Sequence, residues 1–363
     1  MSDCIIIGGG LIGMLTAREL DSAGMRVVLV ERGETGQESS WAGGGILSPL
    51  YPWRYAPSVT ALAGWSQRRY EALSLELRDA TGVDPEWTPS GMLILDTDER
   101  DQARDWAAAT GARVEPVGAG RIAELEPALA GPPDQALWMP DLAQVRNPRA
   151  VAALRADLDR RGVEVRENTE VLKILASGAR VRGLQTSEGT LEADTLVVCA
   201  GAWTAGLLDQ LGVVIQVEPV RGQMLLFGAE PGAITRMVLQ QGHYVIPRRD
   251  GHVLMGSTLE YSGFRKETTD AALAELSAIA LRQFPVLARY PIKRQWAGLR
   301  PGSPQGIPYI GPFPGIRGLF VNSGHFRNGV VLGPGSARLL ADLVLEREPI
   351  LPPEPYALKA PRE

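Results

Sequence analysis

Gly8, Gly10 and Gly13 stand at the spacing Gly-x-Gly-x-x-Gly, and an acid, Glu31, closes the segment that follows. That set suits one kind of chemistry, backbone binding of a pyrophosphate. Gly8 permits a tight turn, and Gly10, with no side chain, lets a phosphate approach the chain. Gly13 lets a helix lie close against a strand. Around Leu11 and Ile12 the free N–H groups of a helix start would face the phosphates. Glu31 can accept hydrogen bonds from a ribose 2′-OH, with Arg32 beside it. An acid here favours an unphosphorylated ribose, so FAD or NAD rather than NADP.

Other residues could join that chemistry. Ser39 and Ser40 could hydrogen-bond phosphate oxygens, and Gly43, Gly44 and Gly45 before Ile46 would let backbone lie flat on a planar ring. Arg300 sits between Gly298-Leu299 and Pro301-Gly302, a bend that favours a binding site over a structural ion pair. Tyr244 lies in a strand-like run, where half-buried sheet surface is the plainer reading. His325 reads as a neighbour of the site, and His243 and His252 receive no role. Cys4 and Cys199 each lie in an apolar run, so a small buried hydrophobe outweighs a redox pair or a covalent flavin link. Neither has a Cys or His at metal-ligand spacing.

The elements that must carry these residues can be read from the pattern. Residues 4–7 form a strand, an apolar-faced helix follows, and residues 27–30 form a second strand. A long Ser- and Gly-rich loop leads on from Glu31. Residues 65–80 form a helix whose Tyr70, Leu73 and Leu77 are core residues and nothing more. Residues 92–95 form a strand and 99–109 a helix. Asn147 caps a helix with Pro148 at its first position, and Gly162 ends it before a strand at 163–165. A strand at 195–199 delivers Ala200-Gly201-Ala202-Trp203 to a helix at 204–211, and such strand ends line the crevice of a doubly wound sheet. From 213 to 256 the chain turns to β, with a hairpin at Asp250-Gly251, and Thr269 caps a helix. Residues 318–322 form a strand that reaches Gly324-His325-Phe326-Arg327-Asn328-Gly329, and a helix at 333–345 closes the chain. This late return to a glycine-bearing helix start suits a cofactor larger than NAD, such as FAD, whose reduced ring is negative at one end.

The bulk numbers agree with an ordinary globular enzyme. The 363 residues suggest two domains, and 45% hydrophobic with 22% charged residues is a soluble balance. A net charge of −5 without long single-sign runs argues against nucleic acid and acidic membrane surfaces as partners. No apolar stretch is long enough to span a bilayer and no signal peptide is visible, so a cytoplasmic location is expected.

Taken together, residues 5–31, 39–47, 200–203, 244–248, 296–301 and 324–329 resemble the D-amino-acid oxidase superfamily of flavoproteins, and its glycine oxidase branch most closely. The resemblance implies an α/β, two-domain fold: a Rossmann-like FAD domain built from 1–85, 147–215 and 299–363, and an antiparallel-sheet substrate domain from 86–146 and 216–298. It implies non-covalent FAD, touched also by Val171, Ala200, Gly201, Trp203, His325, Asn328, Gly329 and Val330. It implies that Arg300 clamps a substrate carboxylate, that Tyr244 donates to it, and that Arg327 sits beside the flavin. The expected reaction is oxidative deamination of glycine, sarcosine or small D-amino acids, with O2 reduced to H2O2 and the glycine imine serving the thiazole of thiamine. A D-amino-acid dehydrogenase or sarcosine-oxidase-like enzyme of the same superfamily is the competing reading. A homo-oligomer, a tetramer by resemblance, is also implied. Where small-substrate relatives place Met near the ring or substrate, this chain has Ile46 and Leu259.

Overall fold

The computed structural model describes residues 2–96 and 98–362; Met1, Thr97 and Glu363 lie outside the described residues. The chain builds two eight-stranded sheets. In the first, Leu319–Ser323, Gly189–Val198, Ser2–Ile7, Val27–Val30 and Glu164–Arg166 run parallel side by side. Parallel strands are buried on both faces, which is why residues 4–7, 27–30 and 196–198 are all apolar, while the edge strand Glu164–Arg166 is not. Helices Leu11–Ser22, Pro57–Thr81, Asn147–Arg161 and Gly329–Val344 enclose one core on this sheet around Met14, Leu62, Leu154 and Leu340.

The second sheet orders Ile292–Gly302, Glu218–Phe227, Val253–Gly256, His243–Pro247, Met237–Gln240, Met92–Ile94, Gln135–Met139 and Glu115–Gly118. All its pairings are antiparallel except Met237–Gln240 with Met92–Ile94, so the expected antiparallel sheet is mixed at one seam. Helix Asp270–Gln283 covers one face, and Thr269 Oγ1 caps it by accepting from Ala272 N. The opposite face carries Met224, Tyr244 and Ile246, packed with Ile46 and Leu50. Strand Ile292–Gly302 runs unbroken through residues 298 and 299, so Arg300 is carried by this sheet rather than by the parallel one.

Several local expectations change. Ser39–Ala42 forms a short helix inside the loop after Glu31. Asn147 is the first residue of its helix rather than its cap; its Nδ2 donates instead to Ser40 O at 2.8 Å. The last helix begins at Gly329, before the expected 333, although Pro334 lies within it. Proline has no N–H for the carbonyl one turn back. That carbonyl, on Val330, accepts from the Tyr70 hydroxyl, and Gly335 N donates to Ser66 Oγ at 2.8 Å. Tyr70 is therefore more than core filling: it repairs the helix that begins at the site.

Candidate active site

A single cavity of about 550 Å3 runs between the two sheets, within the range of cofactor and ligand sites. One end is the first glycine turn. Gly8 has φ +108°, and a Cβ there would stand 2.4 Å from Cys199 O, so only glycine fits. Gly13 does not line the cavity; a Cβ on it would strike Gly8 O at 1.9 Å, which is the close helix–strand packing the motif demands. Leu11 N donates to Ser40 Oγ at 2.8 Å, and Ile12 follows in the helix's first turn, where N–H groups have no partner within the helix. Glu31 accepts from Gly9 N at 2.7 Å and Gly33 N at 3.0 Å, so its carboxylate is fixed at the mouth of the turn. Ser39 Oγ donates to Leu299 O and ties this region to the strand that carries Arg300.

The cavity wall continues through Val171, Ala200, Gly201 and Trp203. The Arg32 guanidinium lies 3.7 Å from the Trp203 ring centre. Phe264 stacks on Trp203 with centroids 5.6 Å apart, and Lys266 pairs with Glu38 at 2.7 Å. A strap from the second sheet unit thus crosses to the first beside the cavity. Gly44, Gly45 and Ile46 form the adjoining wall, with Gly44 packed so closely on Tyr244 that a Cβ would lie 3.0 Å from its ring. Buried Arg248 holds the Gly44 carbonyl at 2.7 Å and the Val145 carbonyl at 3.0 Å. Its desolvation, with Arg146 nearby, brings its pKa down to about 10.

Tyr244, Arg300 and Arg327 meet at the other end. Arg300 donates to Ser257 Oγ at 2.6 Å, Thr258 O at 3.2 Å and Arg221 O at 3.3 Å. Among the described residues it has no carboxylate partner. Burial, and then the like charge of Arg327, lower its pKa from the ordinary value. An anion placed here would relieve that repulsion. Arg327 donates to Gly242 O at 3.3 Å, and the Tyr244 hydroxyl to Met224 Sδ at 3.4 Å.

His325, Gly329 and Val330 line the floor, while Asn328 falls behind it and makes no part of the wall. The Ser336 hydroxyl donates to Asn322 Oδ1 at 2.5 Å, which leaves its oxygen for His325 Nε2 at 2.7 Å. Burial pushes the imidazole down to about 3, so it is neutral at ordinary pH. Burial likewise pushes the thiol of Cys199, on the cavity wall, up to about 12, and that of Cys4 higher still. Ile46 lines the cavity, but Leu259 is exposed and does not. The methionine in the wall is Met224, which sequence reasoning missed together with Gly222, Ser257 and Phe264; the Arg-Gly-Gln-Met run had no spacing to single it out.

FAD fits this arrangement: a glycine cradle that side chains would fill, a continuous cavity, and a helix start at Gly329 opening onto it. Two sheets of this topology around such a cavity define a dinucleotide-binding flavoprotein class. The model of the family described as FAD dependent oxidoreductase matches residues 3–343, and the chain belongs to that family. It is 52% identical to the glycine oxidase of Pseudomonas aeruginosa, over 97% of both chains. The crystal structure of glycine oxidase from Geobacillus kaustophilus superposes with TM-score 0.94 at 30% identity, covering 99% of this chain and 98% of that one. A "Bifunctional protein ThiO/ThiG" of Nostoc is 30% identical over 95% of this chain, which spans 53% of that protein.

Proposed function

We propose that the protein is a glycine oxidase, converting glycine and small relatives such as sarcosine to their imines. The observation that carries this reading is Arg300, without a carboxylate partner among the described residues and facing the same cavity as the Gly8 turn. Arg300 takes the substrate carboxylate, and Tyr244 turns its hydroxyl from Met224 to donate to the same group. Arg327 adds positive charge beside the amino acid. Ile46, Leu50 and Met224 keep the space small and dry, which favours substrates with little or no side chain. The glycine turn, Glu31 and the Gly329 helix start would hold FAD, and the chemistry it would supply there is acceptance of a hydride and reduction of O2 to H2O2. The substrate amine must lose its proton before hydride departs. His325, its pKa pushed down to about 3 by burial, is too weak a base to hold that proton, and we assign the proton to solvent.

The FAD domain takes the parallel sheet and its helices, and the substrate domain the mixed sheet. The imine serves thiazole formation for thiamine, a role supported by the fused ThiO/ThiG relative. No helix among the described residues is long and apolar enough to cross a membrane, in keeping with a cytoplasmic enzyme. The resemblance points to a homotetramer.

Anaerobic mixing with glycine, sarcosine, D-alanine and D-proline tests the reading. Rapid bleaching of the yellow protein by glycine and sarcosine is expected. Bleaching by D-proline alone, or by none of the four, would overturn it.

A further inference from the structure

We propose that Met224 is a modification site: hydrogen peroxide formed in the cavity oxidises its thioether to a sulfoxide and weakens substrate binding. The proposal rests on the oxidase reading, since that reaction supplies the peroxide.

Met224 lies on strand Glu218–Phe227, two residues beyond Gly222 and opposite Gly256 in the ladder. Only 2% of it is exposed, yet its side chain lines the cavity. A Cβ on Gly256 would stand 2.3 Å from Sδ, so the sulfur occupies the room that a side chain there would take. The chain has eight methionines. Among the described residues Met224 is the one that lines this cavity. Met14, Met92, Met139, Met237 and Met255 are buried in the cores, and Met25 is half-buried at the outer surface. Peroxide formed inside meets Met224 before it meets any other thioether, whereas peroxide from bulk solvent meets Met25.

The step balances without a further reactant. A sulfur lone pair attacks one peroxide oxygen, the O–O bond breaks, an S–O bond forms, and the second oxygen leaves as water after proton transfer. Sulfur loses two electrons and peroxide gains them. The consequence follows from the hydrogen bond already present. The Tyr244 hydroxyl donates to Sδ at 3.4 Å, a weak bond to a weak acceptor. A sulfoxide oxygen accepts strongly and would hold that hydroxyl away from the substrate carboxylate. Met224 would then lower the enzyme's affinity in step with its own accumulated turnover, and reduction of the sulfoxide would restore it.

The test uses FAD-loaded protein turning over glycine in air, with and without catalase, followed by peptide mass spectrometry. Met224 should gain one oxygen atom, and catalase should protect Met25 but not Met224. The KM for glycine should rise about ten-fold, the worth of one hydrogen bond to a charged group, and return after methionine sulfoxide reductase treatment. Met224→Leu, normalised to its own initial rate, should lose less affinity over the same number of turnovers. Peroxide production with an unmodified Met224, or a fully oxidised Met224 with unchanged KM, overturns this proposal alone. Absence of peroxide on glycine sinks the oxidase reading and this proposal with it.

Discussion

The guanidinium of Arg300 occupies the space that a side chain on Gly222 would fill: a Cβ there would lie 2.2 Å from Nη2 and 2.3 Å from Nη1. The two residues sit on paired antiparallel strands, Arg300 in register with Val220 and Gly222 with Gly298. The clamp is flat on backbone because one strand lacks a side chain. Gly222→Ala should therefore push the guanidinium toward the substrate and raise the KM for glycine by roughly a hundred-fold, with FAD retained. Arg300→Ala should do at least as much. Steady-state kinetics beside a flavin spectrum measures both, and normal glycine KM in either variant would show the carboxylate to be held elsewhere.

At the other end, Gly10 faces Ser40, with 3.1 Å between its notional Cβ and Oγ. Gly10→Val adds an isopropyl group where the pyrophosphate must approach. Purified variant should be colourless, with the fold intact by circular dichroism. A yellow Gly10→Val protein would contradict the phosphate-loop assignment.

His325 makes a pH prediction. Its folded pKa, about 3, lies below the ordinary 6.5 because burial disfavours the charged ring. Between those values the unfolded chain binds more protons, so stability is full above 6.5 and falls as pH drops toward 3. His325→Gln keeps a partner for Ser336 and cannot ionise. Its melting temperature should fall less than the wild type's between neutral pH and about pH 5. Parallel slopes would assign the acid sensitivity to other groups.

Phe264 on Trp203 closes the flank of the cavity. Phe264→Ala should raise the dissociation constant for FAD by about three- to ten-fold, the worth of an aromatic pair, without changing the glycine KM. The exposed Lys266–Glu38 pair adds little and should fade with salt. Flavin fluorescence during dilution reads the release rate, and an unchanged rate would limit Phe264 to surface packing.

The parallel sheet was legible because its central strands end in apolar runs punctuated by glycine, and Gly8 and Gly13 report backbone constraints that tolerate no substitute, while Gly10 leaves room for a phosphate. The cavity end that binds substrate was less so. Arg300 drew notice for its glycine flanks, which lie in a strand rather than a bend, while its carboxylate role and the whole case for Tyr244 came through resemblance, since an arginine or a tyrosine on a strand has no distinctive spacing. Gly222 and Met224 escaped because their meaning depends on a residue of another strand, Arg300 on the neighbouring one in the first case and Tyr244, beyond Gly256, in the second. Asn147 was misread for a similar reason: it has the type and place of a cap, yet the Ser40 carbonyl, more than a hundred positions away, wins its side chain. Tyr70 looked like filling until the carbonyl freed by Pro334 supplied its hydroxyl with a task.

Strand Leu319–Ser323 pairs with Gly189–Val198, and helix Gly329–Val344 packs on helix Leu11–Ser22. During synthesis the opening segment must therefore wait for hundreds of later residues before its nucleotide cleft acquires a far wall. Flavin capture is then a late event in biogenesis, and a nascent chain stalled before residue 320 would emerge from the ribosome unable to hold its coenzyme.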